Sequence, residues 1–208
     1  MEKSAEVIRE AGKEAMKYYN HKYEIKMKAK SSPVTDGVIA YDEVCFGNKY
    51  RPVIGLIYQP QKKHLYYAIK GKGAYVVEGN KRKRKLHVSK RTRASSLHML
   101  SSRNHGTELE KQVAFACGVT NKKELGSSLK ACLIADKIGD VSFNPSIHTY
   151  EWDVCASDLI IHEAGGKFTT TKGKLFNYNK KDPQNYEGYL ASNGVVHKQF
   201  LETIKKMS

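Results

Sequence analysis

The chain has 208 residues, 40 % hydrophobic, with 13 tyrosines, a single tryptophan and a formal net charge of +15. That much apolar surface excludes a disordered polar chain, and the length suits one substantial domain built as two lobes, about 1–98 and 99–208. The positive charge favours anionic partners without choosing among phosphorylated metabolites, nucleic acid and acidic surfaces.

The opening stretch predicts an amphipathic helix from Ser4, with Val7, Ile8, Ala11, Ala15 and Tyr18 on one apolar stripe. It has no apolar run of signal-peptide character, and no later segment reaches membrane-spanning length, so the expected compartment is the cytoplasm, with no membrane partner. Cys45, Cys117, Cys132 and Cys155 lack zinc-like spacing, and reduced buried thiols are expected.

Residues 23–29 alternate Tyr23, Ile25, Met27 and Ala29 against charges, the period of a half-exposed strand, and "SSPVTDG" reads as a turn. From Val53 the pattern is an antiparallel meander: "VIGLIYQP", two runs about the Gly71-Lys72-Gly73 turn, then "KLHVSK". The basic run at 81–85 falls between strand-like segments and reads as a solvated hairpin loop.

"LHMLSS" predicts a short buried strand. After it Thr107 and Glu110 form a capping box for a helix whose inner face is Leu109, Val113 and Ala116, stopped by Gly118. Ser127 or Ser128 caps the next helix, which buries Leu129, Cys132 and Leu133, and Val141 to Phe143 form a strand. A helix beginning near Glu151 or Trp152 and ending at Gly165 or Gly166 buries Val154, Ala156, Leu159 and Ile160. "GGKFTTTKGKLFNY" predicts a hairpin, "GYLASNG" a strand and "HKQFLETIKK" a closing helix. The sum is a layered α/β (α+β) fold, a sandwich of helices and sheets.

Three stretches carry candidate chemistry. Asp153 sits in the first turn of its helix, where free N–H groups and the helix dipole favour an anion, so capping alone accounts for it. "GSSLK" at 126–130 places Ser127 and Ser128 at a helix start, with Lys130 one turn in, a combination suited to phosphate. "SSRNH" at 101–105 ends a strand with Ser102 and His105 available to a ligand.

Taken in order, these stretches resemble the inositol monophosphatase superfamily and, within it, the 3'(2'),5'-bisphosphate nucleotidases. The shared patterns are T-x-E-W-D at Thr149 to Asp153, E-A-G-G at Glu163 to Gly166, S-R-x-H at Ser102 to His105, G-S-S-L-K at Gly126 to Lys130, "ASNG" at 191–194 and "PVTD" at 33–36. The resemblance implies a sugar-phosphatase fold and a magnesium-dependent phosphatase that hydrolyses adenosine 3',5'-bisphosphate to AMP and phosphate. It implies Asp153 as a magnesium (Mg2+) ligand beside the substrate phosphate, with Ser102, His105, Ser127, Ser128 and Lys130 on the nucleotide side.

The sequence departs from that pattern. The family's acidic pair and its D-P-x-D-G-T motif are missing between Asp36 and Val53, as though a block of the N-terminal lobe were deleted. "TDGVIAYDEV" still matches the start of the family's second helix, and Asp42 and Glu43 are the nearest substitute acids. Magnesium prefers several oxygen ligands, and Asp153 alone would hold a weakly bound, hydrated ion. A non-catalytic phosphonucleotide-binding relative and an inositol monophosphatase-type enzyme are the alternatives. A basic nucleic-acid-binding module is a third, set against the absence of interleaved aromatic and basic residues. A homodimer would cover any sheet edge left by the missing block.

Overall fold

The computed structural model describes residues 51–79, 82–102, 106–126 and 128–207, the backbone of 25–28, 32–35 and 42–48, and the single positions Lys3, Glu6 and Arg9. Those three single positions are helical and exposed. The apolar stripe expected beside them lies outside the described residues.

Strands β1 (Ile25–Lys28) and β2 (Ser32–Thr35) pair antiparallel, Ile25 opposite Thr35. The second of these corrects the expected turn. Pro33 lacks an N–H but is tolerated at the edge of a two-stranded ribbon. The helix expected to begin at 35–44 is corrected as well at its described end, because β3 (Asp42–Asn48) is extended and pairs with β4 (Arg51–Gln59). Val44 and Phe46 fit a pleated strand. The helical reading came from the family pattern and not from these residues.

Strands β5 (His64–Ile69), β6 (Gly73–Val77) and β7 (Lys83–Lys85) complete a five-stranded antiparallel sheet in the order β3-β4-β5-β6-β7. The last strand corrects two expectations: the basic run is partly strand, and 86–90 is not. Its charges are accommodated because β7 is an edge strand. Lys83 sits 4.3 Å above the Tyr75 ring, and Arg84 pairs with Asp136 and, at 3.3 Å, with Glu78.

The second sheet has the order β12-β14-β10-β8-β9. Its strands are β8 (His98–Ser102), β9 (Asn121–Leu125), β10 (Val141–Asn144), β12 (Lys167–Thr169) and β14 (Tyr189–Ser192). β8 pairs parallel with both neighbours; β10, β12 and β14 pair antiparallel around β14. The hairpin expected at 165–178 is therefore corrected: β12 turns at Thr170 to Gly173 and finds its partner in β14, whose Ala191 faces Phe168. β9 carries no apolar alternation and was not legible as a strand. A two-stranded ribbon of β11 (Thr149–Tyr150) and β13 (Gln184–Asn185) sits beside this sheet's helices.

Among the described residues from 51 onward, four α-helices fill the layers: α1 (Glu108–Ala116), α2 (Leu129–Ala135), α3 (Glu151–Glu163) and α4 (His197–Met207). Thr107 caps α1 as expected, its hydroxyl accepting the Glu110 N–H at 3.2 Å, and Gly118 takes φ +68° at its stop. Val113 and Ala114 turn inward; Ala116, expected inside, is exposed. All seven residues of α2 are buried, more than its predicted stripe.

Helix α3 is the central element. Its Val154, Ala156, Leu159 and Ile160 pack with Ile57, Ala68, Ala74 and Val76 of the first sheet in one core. Contact with β4 is close enough that a Cβ on Gly55 would lie 2.9 Å from the Ala156 Cα. A second core joins α1 and α4 to the opposite face of the second sheet through Val141, Phe143, Leu190 and Phe200. Cys117 and Cys132 are buried free thiols, whereas Cys155 is disulfide-bonded, which corrects the expectation of four reduced cysteines. No helix among the described residues is long and apolar enough to cross a membrane.

Candidate functional site

The second sheet has two faces with different duties. On β10, Val141 and Phe143 enter the α1/α4 core, so Ser142 and Asn144 must face the other way. Register places Ala191 opposite Ser142 and Tyr189 opposite Asn144 on that same face, with Phe168 beside Ala191. These five residues floor a cavity of about 250 Å³.

Three further elements close it. The C-terminal end of β8 contributes Ser102, the start of α2 contributes Ser128, Lys130 and Ala131, and the start of α3 contributes Asp153, Val154 and Ser157. His148 and Thr149, just before α3, complete the rim. Ser102, Ser128, Lys130 and Asp153 were singled out in the sequence from three separate stretches, and the fold brings them to one cavity. His105 and Ser127 lie outside the described residues. Ser142, Thr149, Ser157 and Tyr189 also line the cavity and are not among the residues expected there from the sequence. Alternation along β10 was the available signal for Ser142, once Val141 and Phe143 were read as core.

Asp153 does what helix capping predicts: its Oδ2 accepts the Tyr150 N–H at 2.8 Å. Packing around the carboxyl pushes its pKa above the usual range, against the pull of that N–H. Ser128 occupies the N-cap position of α2, but its hydroxyl makes no capping bond. Lys130 is 6 % exposed, an unusual burial for a lysine, and it lines the cavity.

The surrounding carboxylates are committed elsewhere. Glu151 accepts the Asn179 and Lys180 N–H groups at 2.8 and 3.0 Å. Glu163, from the E-A-G-G motif, accepts the Gly71 and Gly73 N–H groups, each at 2.7 Å, and so holds the β5–β6 turn against α3. Asp158, wholly buried, binds Arg51, Tyr178 and His162. No group of three or more His, Cys, Asp or Glu residues among the described residues could hold a metal ion. A two-ion magnesium site needs several carboxylate oxygens, and the described donor set, with Asp153 alone at the cavity, does not fit one.

Residues 43–208 match the sequence profile of the inositol monophosphatase family. A 3'(2'),5'-bisphosphate nucleotidase CysQ from Buchnera aphidicola is 34% identical over 129 residues, 62% of this chain and 46% of that protein. Inositol monophosphatase 3 from Xenopus laevis is 30% identical over 163 residues, 74% of this chain and 43% of that protein. The chain thus spans about half the length of these curated relatives. The crystal structure of CysQ from Bacteroides thetaiotaomicron, described as a bacterial member of the same family, superimposes with a TM-score of 0.63 at 27% identity, covering 73% of this chain and 62% of that one. The layered α/β fold expected from the sequence is the fold of these proteins.

Proposed function

Because the chain belongs to the inositol monophosphatase family, we propose that the Asp153 cavity binds a small phosphate monoester of the 3'(2'),5'-bisphosphate nucleotide class, typified by adenosine 3',5'-bisphosphate. One observation carries this reading: Ser102, Ser128 and the buried Lys130 converge on the cavity from separate elements. A buried ammonium with flanking hydroxyls suits a phosphate, since charge-assisted hydrogen bonds are strongest away from water.

Binding and turnover separate in this reading. The anion-binding side chains are present, whereas Asp153 is the only carboxylate among the cavity's described lining residues. Hydrolysis to AMP and phosphate would be the activity of the nucleotidase branch. A phosphonucleotide-binding relative without turnover is what remains if the block carrying the other acids is deleted.

Calorimetry with adenosine 3',5'-bisphosphate, in magnesium and in EDTA, tests the reading together with a phosphate-release assay. Binding that persists in EDTA and weakens at least about tenfold in Lys130→Met supports it. Magnesium-dependent release that disappears in Asp153→Asn adds hydrolysis. Tighter binding of inositol 1-phosphate moves the substrate to the inositol branch, and no binding of either ligand overturns the reading.

A further inference from the structure

Buried hydroxyls in folded proteins have partners, and each exception asks for a cause. Two stand at this cavity. Ser142 is 1 % exposed, and its hydroxyl has no hydrogen-bond partner among the described residues; the Thr149 hydroxyl is also buried and has none among them. Both residues line the cavity. Ser142 occupies a sheet face whose neighbours, Ala191 and Phe168, are apolar, so a methyl group would fit the fold better than a hydroxyl there.

Two acceptor oxygens at the same cavity are already engaged. Asp153 Oδ2 takes the Tyr150 N–H, and Asn144 Oδ1 takes the Ser146 N–H at 2.9 Å. Donors without acceptors, next to a buried Lys130, call for a ligand group rich in acceptor oxygens and negative charge. We propose that Ser142 and Thr149 are ligand-binding residues whose hydroxyls donate to phosphoryl oxygens of the bound monoester. The inference rests on the reading of the cavity as a phosphate-monoester site and extends it to its floor and rim.

The test uses Ser142→Ala and Thr149→Val in the full chain, titrated with inorganic phosphate and with adenosine 3',5'-bisphosphate in EDTA. Each variant is expected to bind both ligands about 5- to 30-fold more weakly. Without ligand, Ser142→Ala should melt at the wild-type temperature or above it, because an unpaired buried hydroxyl is removed; a merely structural role would lower it. Thr149→Ser, which keeps the hydroxyl, should restore binding. Wild-type affinity for both ligands in both variants overturns this inference alone. Weakening confined to the nucleotide also overturns it, since the hydroxyls would then serve the sugar. A wild-type chain that binds neither ligand overturns the underlying reading, and this inference with it.

Discussion

Arg51 and Asp158, 107 positions apart, meet in a two-pronged ion pair, Nη1 to Oδ2 and Nη2 to Oδ1, each 2.9 Å. The pair ties the first sheet to α3. Tyr178 donates to the same carboxylate at 2.7 Å, and Arg51 also donates to the Phe176 carbonyl at 2.6 Å, so the segment after β12 is fastened at one point with the sheet and helix. Asp158→Asn keeps the shape but leaves the guanidinium without its counter-charge. A loss of about 2–4 kcal/mol is expected in urea unfolding, with Arg51→Met costing less because Arg51 is partly exposed.

Two histidines give opposite pH dependences. His197 is buried, with Nδ1 2.8 Å from Ser192 Oγ and Nε2 3.0 Å from Thr169 Oγ1. Burial, helped by Lys167 and His162, lowers its pKa to about 4. The unfolded chain therefore takes up a proton below about pH 6.5 that the folded chain refuses, and stability falls as pH drops from there toward 4. At His162 burial lowers the pKa but the Asp158 carboxylate outweighs it, so its value is raised and its contribution, present in acid, is lost as pH rises through that value. Melting curves between pH 7 and pH 4.5 should show an acid-side loss of about 2–3 kcal/mol that His197→Gln flattens.

Asp153 substitutions divide capping from ligand chemistry. Asp153→Asn retains an oxygen for the Tyr150 N–H and should leave the melting temperature near wild type. Asp153→Ala loses the cap and should cost about 1 kcal/mol. Any effect of Asp153→Asn on magnesium-dependent phosphate release is then a site effect and not a folding one.

Glu163→Ala frees the Gly71 and Gly73 amides that the carboxylate now accepts. Hydrogen exchange should speed up at those two amides more than elsewhere in the first sheet, with a global loss of about 1–2 kcal/mol. Uniform exchange across the sheet would show that the turn holds without this clamp.

Periodicity made the helices readable, and it made the β4–β6 meander readable, because each element has one apolar face against a core. α3 begins at Glu151, and Thr107 caps α1, as their residues require. β9 and β7 were hidden for a common reason: both are edge strands, charged along most of their length, and only pairing defines them. The candidate site was half legible. Ser102, Ser128, Lys130 and Asp153 are chemically conspicuous wherever they fall, whereas Ser142 and Thr149 gain meaning only when a cavity and the lack of a partner are seen together. Of the helix expected at 35–44, the described end at 42–44 is strand, because a borrowed pattern outranked the local preference of Val44 and Phe46.

The division of labour along β10 sets how freely this cavity can change its lining. Val141 and Phe143 belong to the fold, and Ser142 and Asn144 to the cavity. Replacing an even-numbered residue re-equips the floor without touching the α1/α4 packing, while a one-position slip of the strand would drive Phe143 into the cavity and a hydroxyl into the core. The chemistry of the cavity floor can therefore drift on a framework that stays fixed.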